Sequence, residues 1–311
     1  MIASKQLKNK YILMKTTAQL LSEVKRGDYL SLARALTLVE NELPGSAELL
    51  KEINIDHSIP VIGITGPPGA GKSTLVNSII NKLSKQQKKI AIIAVDPTSP
   101  FNFGSLLGDR IRMSSNFNNP NIYIRSVAAR GSVGGLSGKI IEMTDVLRAA
   151  DFDYIFLETV GVGQSEIEVA GLADLTLVVL VPESGDEIQH LKSGLMEIGD
   201  AFVVNKSDRE GADSLANQLR KMLHQRPHKI PVFKTIADKE TGTDDLVEWI
   251  STIHYQNNER RLFLYTEKAF RLIQNLRMRD ISKSDLKRNI EDSFTKEDFN
   301  IYRFIANYEK H

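Results

Sequence analysis

The chain has 311 residues, of which 41% are apolar and 25% charged, and it carries a formal net charge of +1 and no cysteine. A near-neutral chain favours neither nucleic acid nor an anionic membrane, so neither is an expected partner. The absence of cysteine excludes disulfides and thiolate metal sites, and no apolar run approaches the roughly 20 residues of a membrane span. These properties are typical of a globular protein of the reducing cytoplasm.

Residues 1–55 predict a helical extension. Its clearest helix is Asp28–Leu43, in which apolar residues recur at helical spacing. Asp28 is the predicted N-cap of this helix, and Pro44 and Gly45 are expected to end it.

Short apolar runs alternate with helix-like segments from Ile59 to Trp249. Several of these runs are apolar at nearly every position, which is typical of parallel strands covered by helices on both faces. We therefore predict an α/β domain with a mostly parallel central sheet over residues 56–254. The predicted strands are Pro60–Thr65, Lys89–Asp96, Asp153–Thr159, Leu175–Val181, Ala201–Asn205 and Pro231–Thr235.

Residues 255–311 contain no further strand-like run and predict a helical arm. Helical spacing within Glu267–Met278 puts four apolar side chains on one face of a helix. Such a face outside the main domain is compatible with dimerisation, and it can equally fold back on the main domain. The four residues are Ala269, Leu272, Ile273 and Leu276.

The segment GPPGAGKST matches the phosphate-binding pattern G-x-x-x-x-G-K-[ST], follows an apolar strand and opens a predicted helix, Leu75–Lys85. Glycine lets backbone N–H groups turn toward phosphate oxygens, and the amino end of the helix adds partial positive charge. Lys72 is expected to reach the β- and γ-phosphates, and Ser73 is expected to bind Mg²⁺. The α/β domain is therefore predicted to be a P-loop NTPase. The predicted nucleotide-binding residues of the loop are Gly66, Pro67, Pro68, Gly69, Ala70, Gly71, Lys72, Ser73 and Thr74.

The segment NKSD, which begins at Asn205, ends another predicted strand with the pattern N-K-x-D. The Asp208 carboxylate can accept hydrogen bonds from N1–H and the exocyclic amine of guanine, a donor pair that adenine lacks. Asn205 is expected to brace the base, and the stem of Lys206 is expected to lie over its ring. The alternative for this pattern is a solvated loop with a charged pair.

The segment KTIA occupies the position at which many GTPases have a Ser-Ala loop in contact with guanine. Ile236 replaces the serine, so only a backbone contact is predicted here. Ala237 is the residue expected to make it.

The segment YIFLETVGVGQSE has the D-x-x-G pattern with a longer acid, Glu158, in the aspartate position. Glu158 lies at the carboxyl end of a predicted strand, where open α/β sheets bind ligands. Its carboxylate is expected to hold Mg²⁺ or one of its waters, and the N–H of Gly161 is expected to contact the γ-phosphate. Asp96 ends the preceding predicted strand and is either a second metal ligand or a turn residue before Pro97.

The stretch between the P-loop and Glu158 is far longer than one crossover connection needs, and its glycine-rich segments make it a candidate switch region. Asp109 is predicted to sense the metal or the γ-phosphate, or else to pair with a neighbouring arginine. The position after the switch glycine holds Val162 and not the water-orienting glutamine of a Ras-type GTPase. We therefore predict slow intrinsic hydrolysis that needs Gln164 after a rearrangement, or a partner protein.

These motifs together resemble the MeaB/ArgK-like GTPases, which accompany methylmalonyl-CoA mutase and related adenosylcobalamin-dependent mutases. The resemblance covers most of Ile59–Val247 and rests on GITGPPGAGKSTL, VDPTSPF, GSLLGDRIRM, RSVAARGSVGGLS, DYIFLETVGVGQSE, GDEIQHLKSGLMEIGD and VVNKSD. The helical amino segment with LARALTLVEN is similar too. It implies a homodimeric G-protein chaperone that binds GTP or GDP with Mg²⁺. Such a chaperone gates the delivery of adenosylcobalamin to the mutase and protects or reactivates it.

The resemblance also implies roles for individual residues and for the helical arm. In this family the region of residues 255–311 serves dimerisation. The residues that match the family's nucleotide–Mg²⁺ positions are Lys72, Ser73, Asp96, Asp109 and Glu158, and those that match its base-reading positions are Asn205, Lys206 and Asp208.

A third switch is implied at PESGDEIQHLKSG, which begins at Pro182. Lys192 matches a polar position of that switch, as do Asp186 and Gln189. Glu183 and Ser184 depart from the small residues that the family usually has after the proline.

Two other functions stay open at this point. A phosphotransferase acting on a small amino acid or a protein would need a second substrate pocket and a base, and we find no motif for either. A nickel metallochaperone GTPase would need clusters of cysteine and histidine. This chain has no cysteine and six scattered histidines, of which only His224 and His228 have helix-like spacing.

Overall fold

The computed structural model describes residues 16–96, 116, 118–128, 139–159, 171–185, 195–224, 226, 229–253, 258–294, 299–306 and 308. The chain divides into two compact units, Met1–Tyr265 and Thr266–His311. The domain boundaries predicted near residues 55 and 254 stay predictions.

The first unit alternates strands and helices over most of its described length. Its strands are β1 (Val61–Thr65), β2 (Ile90–Asp96), β3 (Ile122–Ala128), β4 (Tyr154–Glu158), β5 (Leu175–Leu180), β6 (Ala201–Val204) and β7 (Val232–Lys234). Its helices are α1 (Thr17–Lys25), α2 (Tyr29–Glu40), α3 (Ser46–Glu52), α4 (Lys72–Lys85), α5 (Lys139–Arg148), α6 (Leu195–Ile198), α7 (Ala212–Leu223) and α8 (Thr243–Thr252). Two short 3₁₀ turns are Pro182–Gly185 and Ala237–Lys239. Helix α9 (Asn258–Arg277) crosses the boundary between the units, and α10 (Lys283–Phe294) and α11 (Ile301–Ala306) belong to the second unit.

The seven strands form one parallel sheet in the order β3-β2-β4-β1-β5-β6-β7. After β1 the chain moves to one side of the sheet, and from β5 onward it moves to the other, so the strand order reverses at β1. Open α/β sheets bind ligands beyond the carboxyl ends of the strands at such a point. The sheet confirms the predicted fold class, and each of the six predicted strands is present.

Strand β3 is the strand that the sequence patterns do not predict. Its sequence, IYIRSVA, interrupts an apolar run with Arg125 and Ser126 and lies inside the long stretch before Glu158. Among the described strands, β3 lies at the edge of the sheet and pairs with β2. Tyr123 and Arg125 are accordingly only part-buried. The continuous apolar signal of a central strand is therefore missing.

Helices cover both faces of the sheet, which explains the continuous apolar runs of the central strands. One face packs against α1, α2, α3 and α5 over one half and against α7 over the other half. The opposite face packs against α4 and α8. All residues of β1, β4, β5 and β6 are buried.

Helix α2 begins at the predicted residue and ends earlier than predicted. Asp28 is its N-cap, and Oδ1 of Asp28 accepts a hydrogen bond from the N–H of Ser31 at 2.6 Å. The last helical residue is Glu40, because Asn41 closes the final turn and Glu42 takes a left-handed conformation with φ of 49°. The chain thus leaves the helix before it reaches the predicted Pro-Gly stop.

The second unit contains helices whose described side chains are largely exposed. No residue of α10 or α11 whose side chain is described is buried. The aromatic rings of Phe294, Phe299, Phe304 and Tyr308 follow one another at centroid distances of 5.3, 6.2 and 5.6 Å. None of the helices in the described part of the chain combines the length and the apolar character that a membrane span requires.

Candidate nucleotide-binding site

The loop between β1 and α4 approaches strand β5 and the Asn205 side chain so closely that only glycine fits at two of its positions. Gly66 has φ of 138°, and a Cβ there would lie 2.0 Å from the carbonyl oxygen of Val179 in β5. Gly71 has φ of 84° and is the N-cap of α4, and a Cβ there would lie 2.5 Å from Nδ2 of Asn205. These glycines hold the loop at the amino end of α4, where partial positive charge favours phosphate.

Lys72 is the first residue of α4 and is folded over the loop. Its Nζ donates hydrogen bonds to the carbonyl oxygens of Gly66 at 2.8 Å and Pro67 at 3.1 Å. The residue is only 6% exposed. The positive charge of Lys72 therefore lies against the loop at the amino end of α4, a position that favours an anion.

Ser73 contacts Glu158 across the end of the sheet. The Ser73 hydroxyl donates to Oε1 of Glu158 at 2.5 Å, and both residues are buried. Glu158 ends β4 and is paired in register with Ile64 of β1 and Ala94 of β2. A hydroxyl and a carboxylate are oxygen ligands of the kind that Mg²⁺ prefers, so this pair fits a magnesium ion bound together with phosphates.

Asp96 ends the strand next to β4. It is paired with Ala128 of β3 and lies two residues beyond Ala94, the residue paired with Glu158. Its backbone therefore stands at the same edge of the sheet as Glu158. The side chain of Asp96 is not described, and its metal-binding role stays a prediction.

Asn205 connects the P-loop to the loop that follows β7. Its Nδ2 donates to the carbonyl oxygen of Ala70 at 2.9 Å. Its Oδ1 accepts from the Thr235 hydroxyl at 3.1 Å and from the N–H of Ala237 at 3.2 Å. Because Asn205 is 2% exposed, these bonds form a fixed clamp between two loops that are distant in sequence. The sequence patterns do not predict Thr235 as a site residue. Its position directly before Ile236 and Ala237 could have indicated that it lies in the loop next to the base.

Lys206 and Asp208 follow Asn205 on a tight turn. Lys206 has φ of 53°, and its Nζ donates to the carbonyl oxygen of Gly69 at 2.8 Å. Oδ2 of Asp208 accepts a hydrogen bond from Nζ of Lys239 at 3.2 Å, and this bond lowers the pKa of the Asp208 carboxyl. The carboxylate is therefore an ionised acceptor at neutral pH. The sequence patterns also miss Lys239, because its position depends on the fold of the second 3₁₀ turn.

The sequence profile of the family described as "Methylmalonyl Co-A mutase-associated GTPase MeaB" matches residues 32–290. The chain belongs to the MeaB family. This match confirms the resemblance drawn from the motifs, and at its carboxyl end it extends beyond them into the helical arm.

Named relatives agree with the family. A protein of Pyrococcus abyssi whose name places it among GTPases is 42% identical over 269 residues, which covers 84% of this chain and 80% of that protein. The GTPase ArgK of Escherichia coli is 38% identical over 207 residues, which covers 65% of this chain and 62% of that protein. The fused isobutyryl-CoA mutase of Geobacillus kaustophilus is 35% identical over 256 residues, which covers 75% of this chain and 23% of that protein.

A solved structure gives the same fold. The crystal structure of a LAO/AO transport system kinase has a TM-score of 0.67 and 24% identity, over 95% of this chain and 98% of that one. The family match, the P-loop and the relatives named as GTPases identify this MeaB-family protein as a GTPase.

Several predicted site residues of this MeaB-family GTPase lie outside the described residues. They are Asp109, Gly161, Gln164 and Lys192, and their roles stay predictions. His228 lies outside as well, so the His224–His228 pair is not tested. Within the described ranges there is no group of three or more His, Cys, Asp or Glu side chains that could hold a metal ion.

Proposed function

We propose that this MeaB-family GTPase is a G-protein chaperone of an adenosylcobalamin-dependent mutase, either methylmalonyl-CoA mutase or a relative. GTP hydrolysis gates the loading of adenosylcobalamin and protects or reactivates the mutase. The protein acts in the cytoplasm and has no nucleic acid or membrane partner.

The observation that carries this proposal is the fused isobutyryl-CoA mutase. A sequence 35% identical to three quarters of this chain occurs within a single protein that is named as a mutase. A GTPase and a mutase on one polypeptide are held at high effective concentration, which favours two parts that act together. The description of the family as mutase-associated supports a mutase as the partner also where the GTPase sequence is not fused to one.

The site supports guanine nucleotide with Mg²⁺ as the cofactors. The P-loop residues 66–74 and Lys72 bind the phosphates. Asn205, Lys206, Asp208 and Ala237 bind the base. The proposed roles around the metal and the γ-phosphate belong to Ser73, Asp96, Asp109, Glu158, Gly161, Gln164 and Lys192.

The direct test is GTP hydrolysis with and without a mutase. We expect the purified chain to release phosphate slowly alone, and roughly tenfold or more faster with the adenosylcobalamin-dependent mutase encoded in the same genome. A partner that completes the site explains this activation, because Val162 occupies the position of the water-orienting glutamine. Phosphate release is followed with GTP, and ATP is the matched control.

Two outcomes would contradict this proposal. One is a hydrolysis rate that no cobalamin-dependent mutase changes. The other is the transfer of the γ-phosphate to an amino acid or a protein, which would support a kinase-type phosphotransferase.

We also expect a homodimer through the helical arm of residues 255–311. Apolar side chains of the second unit are exposed in the single chain, including Phe270 at 64% and Leu276 at 68%. Leu276→Glu is expected to convert the dimer into a monomer in sedimentation velocity, because burying the new charge would cost several kcal/mol. Asn275→Glu, at an exposed position of α9 about 100° around the helix axis from Leu276, is the control. Dimers that persist in Leu276→Glu, or a wild-type monomer, would rule out this interface.

A further inference from the structure

Glu183 forms an ion pair with Arg209 in the loop that follows β6. Glu183 lies in the short 3₁₀ turn after β5, and its Oε1 accepts a hydrogen bond from Nη1 of Arg209. The side chains of Glu183 and Arg209 are 53% and 51% exposed. Glu183 is one of the two residues that depart from the small residues expected at the start of the third switch.

Arg209 directly follows Asp208, the residue that reads guanine in the proposed function. Its backbone belongs to a tight turn, in which the N–H of Arg209 donates to the carbonyl oxygen of Lys206 at 3.0 Å. The positive charge of Arg209 also acts on Asp208 and contributes to the lowered pKa of that carboxyl, after the larger effect of Lys239. Arg209 thus pairs with Glu183 on one loop and lowers the pKa of the Asp208 carboxyl on the other.

The two loops are attached to neighbouring strands and meet at more than one point. β5 and β6 pair in register, and the N–H of Asn205 donates to the carbonyl oxygen of Leu180 at 2.8 Å. A Cβ on Gly211, the N-cap of α7, would lie 3.8 Å from Cβ of Pro182. The ion pair is thus the polar part of a contact that also includes backbone and apolar atoms.

We propose that the Glu183–Arg209 pair is a latch that positions the guanine-reading loop, with Glu183 as a positioning residue that acts on Asp208 through Arg209. This proposal rests on the base-reading role of Asp208 in the proposed function. The latch fixes the turn from Lys206 to Arg209 against the end of β5, so the Asp208 carboxylate is held in place before guanine arrives. A preorganised acceptor loses less conformational freedom on binding and releases its ligand more slowly.

The size of the effect follows from the exposure of the pair. Exposed ion pairs contribute little to stability, and the corresponding change in nucleotide release is at most about fivefold. We therefore expect Glu183→Ala and Arg209→Ala each to accelerate GDP release by about two- to fivefold. We expect the double variant to be no faster than either single variant, since each change removes the same contact.

The experiment measures the release of fluorescent mant-GDP from the full-length chain after mixing with excess GDP. The variants are E183A, R209A, E183A/R209A and the charge-swapped E183R/R209E, and the swapped pair is expected to restore slow release. D151A is the matched control, because Asp151 and Lys89 form an ion pair of similar exposure, 56% and 45%, at the opposite end of the sheet. Rising salt is expected to accelerate release from the wild type more than from E183A, because screening weakens the pair.

The possible outcomes distinguish failure of the latch from failure of the proposed base-reading role of Asp208. Wild-type protein that binds no mant-GDP would overturn the base-reading role and the latch together. Normal binding with unchanged release in E183A, additive effects in the double variant, or an equal effect of D151A would overturn the latch alone. Unfolding temperatures of the variants equal to that of the wild type, together with faster release, would support positioning over a general loss of stability.

Discussion

Asp208→Asn is expected to weaken GTP binding by roughly 100-fold and to create a preference for xanthosine nucleotides. Guanine presents two donors, N1–H and the exocyclic amine, to the two oxygens of Asp208. The asparagine amide would set its own N–H groups against the amine of guanine. Xanthine has a carbonyl oxygen at that position, so the amide can donate to it while its oxygen accepts from N1–H. Competition of GTP and XTP against bound mant-GDP measures the change.

Asp213→Asn is the matched control for this variant. Asp213 is 81% exposed and pairs with Lys234 at 2.5 Å, so its neutralisation removes a similar surface charge away from Asp208. We expect no change in nucleotide preference for this control. Equal preference for GTP in Asp208→Asn and wild-type protein would show that the base binds elsewhere.

Lys72→Ala is expected to lower kcat/KM for GTP hydrolysis by about 100-fold or more. The Nζ group of Lys72 lies at the mouth of the P-loop, bonded to the carbonyl oxygens of Gly66 and Pro67. Lys82 and Lys85 lie farther along α4 and pair with Asp244 and Glu240. Lys206 contacts the P-loop at the carbonyl oxygen of Gly69, and its proposed place is over the base and not at the phosphates. Phosphate release at several GTP concentrations gives the ratio directly.

Lys85→Ala is the control on the same helix. Its side chain is 74% exposed and lies 3.6 Å from Glu240, so its removal is expected to leave hydrolysis unchanged. Circular dichroism checks that both variants retain the helices. Wild-type hydrolysis in Lys72→Ala would contradict the role of this loop in phosphate binding.

The P-loop and the central strands could be predicted from the sequence, because short continuous segments determine both. A P-loop needs glycines, a lysine and a hydroxyl within a short continuous segment, and Gly66, Lys72 and Ser73 lie where the pattern places them. The central strands could be predicted because burial on both faces requires continuous apolar sequence. The edge strand β3 could not, since its part-buried positions carry polar residues.

Contacts between distant segments could not be predicted from the sequence. The clamp of Asn205 on Ala70 and Ala237 depends on how three loops meet at the edge of the sheet. The same holds for the hydrogen bond of Lys239 to Asp208 and for the pair of Glu183 with Arg209. Such contacts follow from strand order, and no spacing along the chain encodes them.

The contact between Glu158 and Ser73 could be predicted only in part from the sequence. The sequence predicts an acid at the end of a strand, and the structure adds that this acid reaches the Ser73 hydroxyl at the start of α4. A glutamate is one methylene longer than an aspartate, about 1.5 Å, which helps its carboxylate to span from β4 to α4. This pair links the strand to the P-loop helix at the proposed magnesium position.

Calorimetric titration of the purified chain with GDP, GTP and ADP in the presence of Mg²⁺ tests the central claim, which is that guanine nucleotide occupies the crevice between the P-loop and Asp208. We predict binding heat from both guanine nucleotides, with affinity at least about 100-fold higher than for ADP. An absence of heat from guanine nucleotides, or tighter binding of ADP, would contradict it.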